Sequence, residues 1–356
     1  MAENIRHSSR YHAAVAALDD TTALARLAHA AAMVTASTEP SALALAGGQR
    51  LPSARRVGAF AGSFNPLTRA HLGLVNAALR LASLDVVIWT CAAVSVDKER
   101  VERAALVDRL AQMRAFVAGR RRDALALLNR GLYVDEARTL RALLAPTAEL
   151  TLLVGYDKIA QIFDPKYYDD RDTALRELFA LARLLVAPRG DDGADALAAL
   201  LARPENRPFA AHVSYLDVPS AWLRDSSTEA RALAAESPPD ERALARLLPP
   251  AGLALSLSAG AYRSATDSAT DGYEMRAAWL HALATIPRTT AQQLPPLTAL
   301  TQATLREDAS GRGLRDWLAG TARDGDALLG LLANQAGQAG QAGQAGQAGQ
   351  AGQASA

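Results

Sequence analysis

Between residues 55 and 263, short apolar runs rich in Val and Leu alternate with longer stretches in which apolar positions recur at helical spacing. Parallel βαβ units produce this alternation, because strands covered by helices on both faces are apolar throughout while each crossover helix keeps one wet face. The pattern predicts strands over 56–61, 85–91, 132–135, 150–155, 184–187 and 211–217. Helices are predicted between them over 69–81, 102–117 and 173–181. Five or six strands so separated imply an α/β fold, a doubly wound parallel sheet with its ligands at the carboxyl edge.

The flanks read differently. Residues 1–54 are Ala-rich with scattered charge, which predicts one or two helices ending near Pro40 and the pair Gly47 and Gly48. Residues 265–333 carry helical patterns over 273–284, 296–306 and 314–332, expected to form a helical appendage. Over 334–356 the triplet Gln-Ala-Gly repeats six times. A tract with so much Gly and no large apolar side chain cannot bury a core, so a disordered tail is expected.

Composition narrows the partners. Lys and Arg total 38 against 37 for Asp and Glu, far from the basic excess that nucleic-acid binding requires. The single cysteine, Cys91, allows neither an intrachain disulfide nor a thiolate metal site. The opening MAENIRHSSRYH lacks the pattern of a secretory leader, and no apolar run approaches the ~20 residues of a membrane span. The expectation is a cytoplasmic protein with no membrane and no nucleic-acid partner. The oligomeric state stays open, a homo-oligomer included.

The most informative stretch is GAFAGSFNPLTRAH over 58–71, a strand, a glycine turn and a Thr-x-x-His sequence where a helix begins. Glycine after a strand lets backbone N–H groups approach a phosphate, and a helix N-terminus adds partial positive charge. His71 could then bond an α-phosphate oxygen as charge builds there, although a histidine at such a place can equally be an ordinary core or surface residue. Ser226, Ser227, Thr228 and Arg231 form a second cluster at a helix start, suited to the β- and γ-phosphates; Ser-Ser-Thr is also a common helix cap. Gly155 and Asp157 end the 150–155 strand, where a carboxylate can accept from a ribose or cap a helix.

Together GSFNPLTRAH and SSTEAR resemble the signatures of the nicotinamide/nicotinate mononucleotide adenylyltransferase family, within the nucleotidyltransferase superfamily of HxGH type. The resemblance covers about 55–263 and assigns 55–264 as a Rossmann-like nucleotidyltransferase domain. Thr68 stands where that motif has its first His. The similarity continues through Gly155 and Asp157 into the FDPKYY segment, and to an Arg-containing turn at Arg189. It implies adenylyl transfer from ATP to nicotinamide (or nicotinate) mononucleotide, nicotinamide the favoured acceptor, with His71, Lys98 and Arg231 catalytic and Arg100 a near alternative to Lys98 in a charged loop. A helix carrying Arg109 and Met113 follows that loop. Gly62, Ser63, Phe64 and Thr68 would join the ATP site, and Phe64, Asn65 and Arg189 the acceptor site. The family's platform Trp is missing, leaving Tyr133 or Trp89 to stack on the pyridine ring. Mg²⁺ would arrive on the ATP phosphates, with no protein metal site. A related transferase with another phosphorylated acceptor, or an ATP-hydrolysing scaffold, are the alternatives.

Overall fold

Strands β1 (Ala42–Ala46), β2 (Arg56–Ala61), β3 (Val86–Ala92), β4 (Asp123–Leu128), β5 (Glu149–Gly155), β6 (Arg183–Ala187) and β7 (Val213–Tyr215) form one sheet in the order β1-β4-β3-β2-β5-β6-β7. All neighbours pair parallel except β1, which runs antiparallel along the edge of β4. The computed structural model describes residues 5–93, 104–188, 193–218, 226–263 and 270–307. The chain leaves β2 toward β3 and β4, then crosses back to β5 on the other side of β2. The carboxyl ends of β2 and β5 therefore flank the switch point, where doubly wound sheets open a ligand crevice.

Period-two alternation explains why the central strands are apolar throughout. Val87, Trp89, Cys91, Leu125, Leu127 and Leu153 point into one buried cluster. Val86, Ile88, Ala124, Ala126, Leu152 and Val154 point into the other. Helices Tyr133–Arg141, Tyr156–Phe163 and Arg171–Leu181 cover the second cluster. The first is covered by Arg69–Leu81 and Leu106–Val117, and also by both chain flanks: Ser9–Asp19, Thr21–Ala36, Pro250–Leu257, Thr270–Ala282 and Leu297–Glu307. Residues on both sides of the expected boundaries at 54 and 264 thus bury their apolar faces in one shared core.

A buried ion pair joins these flanks. Arg276 donates through Nε and Nη2 to both oxygens of Asp108, at 3.0 and 2.6 Å, and through Nη2 to the Leu18 carbonyl. Tyr273 donates its hydroxyl to the same carboxylate at 2.8 Å. Asp108 and Arg276 are 0% and 5% exposed, so this node ties the N-terminal helices, the Leu106–Val117 helix and the C-terminal helices without help from water.

Two expectations are corrected. The strand expected over 132–135 is the start of the Tyr133–Arg141 helix, and the strand at that place in the sheet is β4. The Tyr-Val pair has local strand preference, but the sheet slot between β1 and β3 is filled by the preceding Ala-Leu run. The first flank is not helical throughout, because β1 follows its two helices and covers the β4 edge. The patterned stretch over 314–332 and the repeat tail lie outside the described residues.

Candidate functional site

At the carboxyl end of β2 the chain turns through Gly62, Ser63, Phe64, Asn65 and Pro66 into the Arg69–Leu81 helix. Gly62 donates its N–H to the Thr90 carbonyl of β3 at 3.1 Å. A Cβ on Gly62 would stand 2.7 Å from the Phe64 ring, so only glycine lets the loop fold over that side chain. Phe64 adopts φ 44° and buries its ring against Phe60, Trp89 and His71, with centroids 6.0, 5.5 and 5.5 Å away. Apolar burial offsets the cost of a left-handed backbone at a non-glycine residue.

Thr68 caps the helix, and His71 at its third position completes a reciprocal capping box. The Thr68 N–H donates to His71 Nδ1 at 3.0 Å. An amide N–H can only donate, so Nδ1 must accept and the neutral ring carries its proton on Nε2. Thr68 itself is 0% exposed, and its backbone and hydroxyl both meet His71 Nδ1, so it fixes the imidazole.

The second motif meets this loop directly. Ser226 caps the Ser227–Ala235 helix by accepting from Glu229 N at 3.0 Å. Ser227 donates its hydroxyl to the Pro66 carbonyl at 2.8 Å. Arg231 donates through Nη1 to the Asn65 carbonyl at 2.8 Å and through Nη2 to Thr228 Oγ1 at 3.2 Å. Two stretches about 160 residues apart in sequence thus share one edge of the sheet. From the facing helix, Arg109 donates to the Ser63 carbonyl at 2.9 Å and Gln112 to the Phe64 carbonyl at 2.8 Å, while Gln112 Oε1 accepts from Leu67 N at 3.1 Å. Tyr262 donates to Asn65 Oδ1 at 2.7 Å. Gly155 caps the Tyr156–Phe163 helix at the end of β5, beside β2, and Asp157 lies in the first helical turn rather than at the cap.

Two aromatic assignments change. Trp89 is 0% exposed, donates its indole N–H to Asp123 at 2.7 Å and packs edge-on against Phe60, Phe64 and Phe116. Phe64 is 1% exposed, and its ring, like that of Trp89, packs inward here and presents no open face. Tyr133 is half-buried at the start of the helix that follows β4. Lys98, Arg100 and Arg189 lie outside the described residues.

Gln112 and Tyr262 escaped the sequence reading. The signal for Gln112 was a polar side chain on the apolar stripe of an amphipathic helix, beside Asp108 and Arg109. Burial pushes the Tyr262 hydroxyl well above its ordinary range, against the opposing pull of Arg109 and Arg231, so it stays a neutral donor. Cys91, buried under the same loop, is pushed up to about 12 by burial although Arg109 pulls the other way. A thiol so held is a packing residue.

The model of the cytidylyltransferase-like family matches residues 59–232. A probable nicotinate-nucleotide adenylyltransferase of a Synechococcus species is 32% identical over 184 residues, 51% of this chain and 83% of that protein. The chain belongs to the nicotinate-nucleotide adenylyltransferase family. Another member, from Gloeobacter violaceus, is 32% identical over 145 residues, which are 39% of this chain and 66% of its own length. Among solved structures, Plasmodium falciparum nicotinic acid mononucleotide adenylyltransferase complexed with NaAD covers 56% of this chain and 94% of its own, at 18% identity and a TM-score of 0.44. Family membership makes the chain a nucleotidyltransferase. The matched region ends at Arg231 and its neighbour, so the Gln112 contact falls inside it and the Tyr262 contact outside.

Proposed function

We infer that the protein transfers the adenylyl group of ATP to a pyridine mononucleotide, giving a dinucleotide and pyrophosphate. An oxygen of the acceptor phosphate attacks the α-phosphorus, the bond from that phosphorus to the bridging oxygen breaks, and pyrophosphate leaves with the electron pair. No proton has to be removed from the acceptor, whose phosphate is already ionised at neutral pH. Catalysis is then positioning and stabilisation of charge on the non-bridging oxygens. The observation that carries the reading is the direct hydrogen bonding between the two motifs, Ser227 to Pro66 and Arg231 to Asn65.

In this reading the N–H on His71 Nε2 donates to an α-phosphate oxygen. Its orientation is set by the Thr68 backbone, so it needs no reorganisation in the transition state. Gly62 and Ser63 approach the same phosphate, while the start of the Ser227–Ala235 helix, with Ser226, Thr228 and Arg231, faces the β,γ end. Gly155 and Asp157 take the adenosine ribose. Asn65 and Tyr133 border the acceptor, with Lys98 and Arg189 completing the phosphate and acceptor contacts. Mg²⁺ would arrive on the ATP phosphates, as part of the metal–nucleotide substrate. Among the described residues, no helix is long and apolar enough to cross a membrane.

Nicotinate mononucleotide is the first acceptor to try, because both curated relatives described above are named for it. Purified protein with ATP, Mg²⁺ and either the nicotinate or the nicotinamide mononucleotide should release pyrophosphate and form the dinucleotide. Absence of product with both would remove the proposal. The burial of Trp89 favours one other reading, a transferase for a phosphorylated acceptor without a stacking ring, which the same screen extended to phosphopantetheine would expose.

A further inference from the structure

The turn after β2 is held from outside by its oxygens. Four successive carbonyls, of Ser63, Phe64, Asn65 and Pro66, each accept from a side chain: Arg109, Gln112, Arg231 and Ser227 in that order. A peptide unit is planar, and in the trans units here the N–H lies opposite the C=O. Fixing the Ser63 carbonyl therefore fixes the direction of the Phe64 N–H, and fixing the Phe64 carbonyl fixes that of Asn65. A carbonyl turned toward a triphosphate would repel it, whereas an N–H would attract it.

Gln112 differs from the other three. It is 0% exposed, and its amide bonds both sides of the turn, donating to the Phe64 carbonyl and accepting from Leu67 N. Tyr262 adds a tie at the apex, since its hydroxyl holds Asn65 Oδ1 and so decides which end of that amide faces inward. We propose that Gln112 is a positioning residue for adenylyl transfer, setting the peptide planes that present the Phe64 and Asn65 N–H groups to the triphosphate, with Tyr262 orienting the Asn65 amide between them. The proposal rests on the transferase reading above, and it assigns work to two side chains that would not touch substrate.

The test compares Gln112→Met, which keeps the volume and loses both bonds, with Val117→Ala, which trims a buried residue of the same helix far from the loop. Thermal midpoint, MgATP affinity by calorimetry, and kcat and KM for dinucleotide formation are measured for each. A ~1 Å misplacement of a reacting group costs up to about 10²-fold, so Gln112→Met should lose roughly 10- to 100-fold in kcat while KM for the mononucleotide stays within about threefold. Val117→Ala should lose thermal stability and keep kcat. Equal kcat in the two variants overturns the proposal. If the wild type makes no dinucleotide the transferase reading falls, and calorimetry then decides the clamp alone: MgATP affinity about tenfold weaker in Gln112→Met upholds it, unchanged affinity overturns it. Should Gln112→Met fail to fold, Tyr262→Phe deletes one hydroxyl and carries the test, with roughly fivefold lower kcat expected and no change refuting the role.

Discussion

Replacing Arg276 by Met leaves a carboxylate in the core with one partner where it had two. In the native protein Asp108 is 0% exposed and takes two bonds from the guanidinium and one from the Tyr273 hydroxyl. The variant removes both guanidinium bonds and also strands the Leu18 carbonyl, which loses its donor. Breaking a buried pair from one side costs about 3–5 kcal/mol, because the remaining charge has lost both water and its counter-ion. Unfolding entropy near 2.1 cal/mol/K per residue, taken over roughly 300 folded residues, converts this to a fall of about 5–8 °C in the thermal midpoint. Calorimetric melting of the full chain gives the midpoint, and urea titration gives the free energy. The double variant Asp108→Leu with Arg276→Met should recover most of the loss, since an apolar replacement of similar volume removes the orphan charge. A single-variant loss below about 1 kcal/mol would refute the reasoning: the node would then not be shut off from water, and the flanking helices would not share the core.

Three further outcomes follow from the geometry. His71→Ala should lower kcat by about 10²–10³-fold, the scale of one lost charge-stabilising donor, while the lost capping box costs only about 1–2 kcal/mol of stability; steady-state kinetics on the folded variant checks it. Gly252→Ala should destabilise the fold, although Ala is the better helix former by about 1 kcal/mol, because its Cβ would stand 2.5 Å from the Leu67 carbonyl; chemical denaturation reads the sign. Burial pushes the Glu136 carboxyl from 4.5 up to about 7, with a hydrogen bond from Thr90 opposing. A folded-state value above the unfolded one means the native state binds the extra proton, so this contribution is complete below pH 4.5 and lost as pH rises through about 7. Glu136→Gln should therefore gain on the order of 3 kcal/mol over wild type at pH 8 and flatten the intervening pH dependence, as urea titrations across the range would show.

Strands β3, β5 and β6 could be read from the chain because Val, Ile and Leu dominate short runs bounded by glycine or polar residues, and β2, RVGAFA, because a glycine turn ends its apolar run. The Arg69–Leu81 helix was legible from its apolar spacing and its capping Thr68. Strands β1 and β4 were not, since ALALA and DALALL contain no β-branched residue and look like the helical flanks around them. Pairing makes strands of them, β1 against β4 and β4 against β3, and such long-range pairing leaves no local trace. In the site, the two motifs were visible because glycine, proline and hydroxyl residues have local meaning at a turn or a helix start. For Gln112 the apolar stripe around it marked a buried polar side chain, but nothing local says which loop it will face.

The bond between Leu18 and Arg276 joins residues 258 positions apart. Closing so wide a loop is slow relative to forming local turns, and it cannot begin before the second partner has been synthesised. A ribosome that has finished the whole strand-and-helix region would still hold a chain whose Leu106–Val117 helix, bearing Arg109 and Gln112, lacks its final brace. The brace on that helix therefore waits on a residue 168 positions further along the chain than the Asp108 it holds.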